Sequence, residues 1–225
     1  MHRRDILAYA FALALLALSV GSAAAPVGEV LAVKGSAHRQ ADDGPRIALV
    51  RGDKVFEQDL IETQDQALLA LRFADGTRFN LGPRTTFRID QVRDGEAGVF
   101  SAEVLKGAFR FVTGLIAKRR TGAMRVKTGV VATIGIRGTT VGGEVDGESA
   151  TIVLLESEEP GTSSAIEVAN DHGSVVIDQA GYGTRVPDAH SPPSPPERMS
   201  LRTVDNLIRN INNIQRIAVP RPAIR

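Results

Sequence analysis

An all-β fold, a β-sandwich or a β-helix-like domain, is what this sequence predicts, with one amphipathic helix appended near the C-terminus. Three observations carry that expectation. Between Val27 and Pro187, short apolar stretches alternate with turn signals about every 8–12 residues. The segment Leu69–Leu81 reads in register as a hairpin. A helical period replaces the two-residue period only beyond Pro196.

The chain opens on a leader, residues 1–25. Arg3 and Arg4 precede the apolar run Ile6–Val20, and Gly21-Ser22-Ala23-Ala24-Ala25 offers a signal peptidase its small residues. Cleavage is expected after Ala23 or Ala24, because Pro26 disfavours a cut at Ala25. The run is shorter than the roughly 20 residues that span a bilayer. Export to a bacterial periplasm, or secretion, follows as the expected localisation.

The body, 26–187, starts with Val30, Val33 and Ala37 around a break at Gly35. Turns are expected at Asp42–Pro45 and Arg51–Lys54 before the strand leading through Ile61. The hairpin then sets its own register. A two-residue turn at Asp75-Gly76 would oppose Phe73 to Arg78 and Leu71 to Asn80, mixing apolar and polar residues on one face. A three-residue loop, Ala74-Asp75-Gly76, opposes Leu71 to Phe79 and Leu69 to Leu81 and puts the apolar set on one side. Its last residue needs φ > 0, which glycine adopts freely. Arg72 and Arg78 then face each other on a side expected to be wet, with acids nearby. The same pattern would also suit a corner of a β-solenoid.

Thr85, Phe87 and Ile89 share the next strand face. Phe109 and Phe111 follow Gly107, then come Met124, Val126 and Thr128, and Ala132, Ile134 and Ile136. Ile152–Leu155 has no polar alternation and reads as buried on both faces. Ile166, Val168, Val175 and Ile177 close the body. Gly135, Gly138, Gly142 and Gly143 are expected in turns and bulges. Residues 188–196 read as an extended Pro-rich linker. Over 197–218, Val204, Leu207, Ile208, Ile211, Ile214 and Ile217 form the stripe of one amphipathic helix, with a tail over 219–225.

Charge and composition narrow the function classes. Without residues 1–24, Lys+Arg falls from 27 to 25 and Asp+Glu from 26 to 25, so the net charge is zero. A nucleic-acid binder would show a basic excess, so nucleic acid is not expected as a partner. The chain has no cysteine, hence no disulfide framework, thiol chemistry or lipid attachment through a thiol. His38, His172 and His190 lack ligand spacing, and Glu156, Glu158 and Glu159 do not form a calcium loop. No nucleophile elbow or phosphate loop is present. Catalytic, cofactor and metal residues are therefore not assigned. Lys118-Arg119-Arg120, with Arg125 and Lys127, is the one basic cluster, either a solvated loop or an electrostatic docking patch. The helix stripe either caps the β body or docks on a partner. Membrane contact is expected only through an uncleaved leader or this helix.

Gly52-Asp53, Ile61-Glu62-Thr63, Leu71–Thr77, Leu105–Phe109 and above all Ile136-Arg137-Gly138-Thr139 occur in an order and spacing that resemble the FecR-type periplasmic domain over roughly 47–155. The resemblance implies an all-β, non-enzymatic domain that relays signals through contacts with other proteins. Here only a short leader precedes it, where the best-known members carry a cytoplasmic sigma-binding segment and a membrane span. A stand-alone module binding an envelope protein is therefore expected. Asp75, Gly76, Arg137, Gly138 and Thr139 are expected as structural motif residues, with Arg137 tying the Gly138-Thr139 turn to its neighbours. The other reading is a carbohydrate- or surface-binding module, which stacking aromatics would support. The chain has no Trp, and Tyr182 is its one Tyr outside the leader.

Overall fold

The computed structural model describes residues 24–42, 44–129, 131–157 and 164–200. The leader through Ala23 and the segment from Leu201, with Leu207, Ile208, Ile211 and Ile214, lie outside these residues, as does the side chain of Arg137. More than half of the described residues are strand: β1 (Gly28–Lys34), β2 (Ala37–Ala41), β3 (Ile47–Ala48), β4 (Lys54–Val55), β5 (Asp59–Thr63), β6 (Leu68–Phe73), β7 (Arg78–Leu81), β8 (Thr86–Arg93), β9 (Val99–Val112), β10 (Met124–Thr128), β11 (Ala132–Arg137), β12 (Thr140–Val145), β13 (Ala150–Leu155), β14 (Ala165–Asn170), β15 (Gly173–Ile177), β16 (Tyr182–Val186) and β17 (Glu197–Arg198). The one helical turn among them is α1 (Leu115–Arg119).

The long strand β9 organises everything else. Its second half, from Gly107, pairs with β7 and β12 in a layer ordered β4-β1-β6-β7-β9-β12-β13-β16-β17. Its first half pairs with β8 and β10 in a layer ordered β3-β2-β5-β8-β9-β10-β11-β14-β15. Among these ladders only β9–β10 is parallel. The solenoid corner is thus replaced by antiparallel pairing at residues 69–81. Gly107 has φ +98° at the point where β9 passes between layers.

The hairpin register is the expected one. Leu69 pairs with Leu81, Leu71 with Phe79 and Arg72 with Arg78. The loop closes with Phe73 N–H donating to Thr77 O at 2.8 Å and Gly76, at φ +87°, donating to Phe73 O at 3.0 Å. The wet side carries its acid: Glu29 on β1 bridges Lys54, at 2.9 Å, and Arg72. Those two cations, Lys54 first, hold the Glu29 carboxyl below its ordinary range.

The inward faces of the two layers meet in a phenylalanine cluster. Phe79 of β7 lies parallel to Phe100 of β9 at 5.8 Å and tilted against Phe87 of β8 at 4.9 Å, while Phe73 meets Phe100 edge-on at 4.9 Å. All these rings are buried. Burial of each contributes about 2–3 kcal/mol. Ile152–Leu155 is buried on both faces, as its apolar run requires.

Four expectations meet a different structure. Gly142 and Gly143 sit inside β12, not in a turn: a Cβ on Gly143 would lie 2.5 Å from the Phe109 ring, so the missing side chain is the space that ring occupies. Lys118 and Arg119 belong to α1 rather than to a loop. Residues 188–196 are not a free spacer. An extended proline segment forms no internal hydrogen bonds, and here the body satisfies its polar groups. Asn170 Nδ2 donates to Ser191 O at 2.8 Å, Ser194 N–H to Arg185 O at 2.9 Å and Thr184 Oγ1 to Ser194 O at 2.6 Å. The N–H of His190 and the Ser191 hydroxyl hold the Asp188 carboxyl below its ordinary range. The chain then adds β17 beside β16, and Met199 is buried. Glu197–Arg198 are therefore strand, and the β body runs on to Met199.

Candidate functional site

Two loops far apart in sequence converge on the segment that follows β9. The first is the hairpin loop. Asp75 is buried, and its Oδ1 accepts from Thr77 N–H at 2.9 Å. Its Oδ2 accepts from Thr77 Oγ1 at 2.8 Å and from Ile116 N–H at 3.4 Å. Asp75 O accepts from Leu115 N–H at 2.9 Å, and Thr77 Oγ1 accepts from Gly114 N–H at 2.9 Å. The hairpin loop thereby caps the first turn of α1 from across the chain, supplying acceptors to amides that have no partner within the helix. Gly114 is needed because a Cβ there would collide with Asp75 O and Thr77 N.

The second loop is Gly138-Thr139, between β11 and β12. Thr139 N–H donates to Thr113 Oγ1 at 2.7 Å, and Thr113 N–H returns a bond to Thr139 O at 3.0 Å. Gly138 has φ +50°, and Arg137 ends β11 opposite Ala165. Asp75, Gly76, Gly138 and Thr139 therefore meet at one place, held together by Thr77, Thr113 and Gly114. Thr77 closes the Leu71–Thr77 motif, whereas Thr113 and Gly114 carry no motif signal of their own. Only the Thr-Gly break at the end of the β9 apolar run could have marked them.

Between the loops lies a cleft of about 560 Å³, with Asp75, Leu115, Lys118, Thr139, Thr140 and Ser157 on its walls. Leu115 is 46% exposed at its rim. Thr140 is 1% exposed, and its hydroxyl has no hydrogen-bond partner.

The basic cluster divides. Lys118 lies at the cleft. Arg119 pairs with Asp94 at 3.1 Å, both side chains about half exposed. Arg120 donates to Gly98 O at 2.9 Å. Arg125 and Lys127 point outward from β10 on the second layer. An exposed ion pair is worth little and a partly buried bond more. Arg119→Ala is expected to change stability by less than about 0.5 kcal/mol and Arg120→Ala by about 1 kcal/mol in urea unfolding. The stripe residues Leu207, Ile208, Ile211 and Ile214 lie outside the described residues. His172 and His190, read as scattered, stand edge-on with ring centres 6.1 Å apart. Among the described residues no group of three or more His, Asp or Glu is placed to hold a metal ion. No helix among them is long and apolar enough to cross a membrane.

The fold and these converging loops define an all-β domain. The model of the FecR protein family matches residues 59–158, from the start of β5 to just beyond β13. Two crystal structures of a candidate anti-sigma factor from Parabacteroides distasonis ATCC 8503, at 1.65 Å and 2.50 Å resolution, share the fold with a TM-score of 0.51 at 13% identity. The similarity covers 64% of this chain and 62% of theirs, so it spans less than two thirds of that protein. No curated protein matches the sequence.

Proposed function

We propose that this chain is an exported, non-enzymatic FecR-domain protein that serves envelope signalling or assembly by contacting another envelope protein. The FecR match supports the signalling class, and the description of the Parabacteroides neighbour points the same way. Arg3, Arg4 and the apolar run Ile6–Val20 support export to the periplasm. A scaffold role for Asp75 agrees with its carboxylate receiving three donors from the surrounding loops.

The contact is assigned to the cleft, and the observation that carries it is the Thr140 hydroxyl, buried and unpartnered on the cleft wall. Leaving such a group unsatisfied costs about 1–3 kcal/mol. An extended segment of a partner brings backbone N–H and C=O groups able to pair with it, and exposed Leu115 offers an apolar foothold beside it. No observation favours the carbohydrate-binding reading, since Tyr182 packs against the core.

A photo-crosslinking residue at Leu115, with Arg125 on the other layer as control, tests this in intact cells. A discrete adduct is expected from position 115 only. It should require residues 1–25 and weaken several-fold in Thr140→Val. Equal labelling from both positions, or an adduct indifferent to Thr140→Val, would remove the cleft as the contact site. An adduct that persists without the leader would remove the exported location.

A further inference from the structure

The two histidines that meet in space are held there by one local device used twice. Asn170-Asp171-His172 turns between β14 and β15, and the His172 N–H donates to Asn170 Oδ1 at 3.0 Å. Asp188-Ala189-His190 turns after β16, and the His190 N–H donates to Asp188 Oδ1 at 2.7 Å. In each turn an Asn or Asp side chain fixes the backbone two residues on. Asn170 also joins the two turns, because its Nδ2 donates to Ser191 O, next to His190, at 2.8 Å. Just beyond the histidines the two stretches touch again: a Cβ on Gly173 would lie 3.2 Å from the Cβ of Pro192. The backbones that carry the two rings are thus tied together on both sides.

The rings themselves are uncommitted. Both residues are exposed. Among the described residues neither imidazole makes a hydrogen bond or an ion pair. The ring centres stand 6.1 Å apart, with the planes at 71°. A neutral imidazole keeps a lone pair on one nitrogen. An ion held at about 2.1 Å by one nitrogen of each of two imidazoles sets their ring centres about 5–6.5 Å apart. The spacing here falls in that range without any movement of the turns.

We infer that His172 and His190 form a two-ligand site for a divalent transition metal, with water in the remaining positions. Imidazole ligands favour copper, zinc and nickel, whereas magnesium and calcium take oxygen. The ligand count is two, not three or four, so the site is open and of micromolar affinity rather than a closed structural centre. Asp171 and Asp188 bring negative charge into the same two turns. The ion would join two layers. The β14–β15 turn belongs to the second, and the segment after β16 returns to the first through Ser194 N–H and Arg185 O. Metal occupancy therefore reinforces the tie made by Asn170 and clips the Pro-rich segment to the body, at a place separate from the cleft.

The chain from Ala24 onward holds three histidines, the third being His38, and no cysteine, so untagged protein gives a clean background. Calorimetric titration of chelator-stripped protein with zinc or copper(II) should show one ion per chain, copper the tighter, with magnesium silent. His172→Gln and His190→Gln should each weaken binding about tenfold or more, and His38→Gln should leave it unchanged. In nitrogen-15 spectra of the parent imidazoles, zinc should shift the His172 and His190 rings together and leave His38 in place. Saturating zinc should raise Tm by about 5 °C in the parent and in neither variant. No binding, binding that survives both substitutions, or a shift of only one of the two rings would overturn the inference. One ion per two chains would overturn it as a clip within a single chain. The ring spectra need no variant, so they decide even where a substitution perturbs folding.

Discussion

Asp75→Ala is expected to destabilise the protein by about 3–4 kcal/mol, read as a shift of the urea midpoint. The carboxylate is buried and receives Thr77 N–H, Thr77 Oγ1 and Ile116 N–H. Hydrogen bonds to a charged acceptor are worth about 1.5–3 kcal/mol each, and removing the acceptor strands the donors. Asp75→Asn should lie between, at about 2 kcal/mol. One amide oxygen can still accept, but the NH₂ would face donors at the other position. The start of α1 should loosen first, because Leu115 and Ile116 take their acceptors from Asp75. Amide exchange at these two residues should rise well before exchange in β7. Equal protection in the variant and the parent would show that the loop does not hold α1.

Gly107→Ala is expected to cost about 3 kcal/mol and lower Tm by about 6–12 °C. Two effects add. The backbone there has φ +98°, which disfavours any side chain, and a Cβ would stand 2.6 Å from the Cα of Thr85. Thr85 cannot retreat easily, since its hydroxyl donates to Ala108 O at 3.1 Å and its N–H to Thr63 Oγ1 at 2.8 Å. Gly76→Ala is the internal control. Its φ of +87° is similar, but nothing lies within 4 Å of the added carbon, so only the backbone cost of about 1 kcal/mol applies. Equal losses at the two positions would mean that the approach of Thr85 to β9 carries no weight.

Both predictions start from residues visible in the sequence, but they were legible to different depths. The hairpin was read whole, with its register and loop length, because only one register puts Leu69, Leu71 and Phe73 on the same side as Leu81 and Phe79. The one-sided burial of β10 and β11 was likewise written in their alternation, and the double burial of β13 in its lack of one. The FecR motif residues were found by their order, yet nothing local said that Asp75 and Thr139 would share one site. Thr77, Thr113 and Gly114 carry that junction, and outside the Leu71–Thr77 motif the Thr113-Gly114 pair has no pattern to mark it.

The Pro-rich stretch shows the converse error. Composition makes 188–196 an extended segment, and it is extended. Composition does not reveal that Asn170, Thr184 and Arg185 offer partners to its backbone, which turn a spacer into part of the body. The glycines of β12 were misplaced for a related reason: the ring that fills the space above Gly143 comes from Phe109, a neighbour fixed by strand pairing and not by sequence distance.

By itself, then, the sequence determined the β class, the hairpin register and which side of the alternating strands faces inward. Those properties depend on alternation over a few residues and on φ at a single glycine. Tertiary structure alone decided that β9 is shared by two layers, that the two motif loops meet at Thr113–Ile116, and that Thr140 stands on the wall of the cleft between them. Ile116 and Asp75 are 41 residues apart. Contacts at that distance are set by the register of ladders laid down between them, and no local pattern encodes that register.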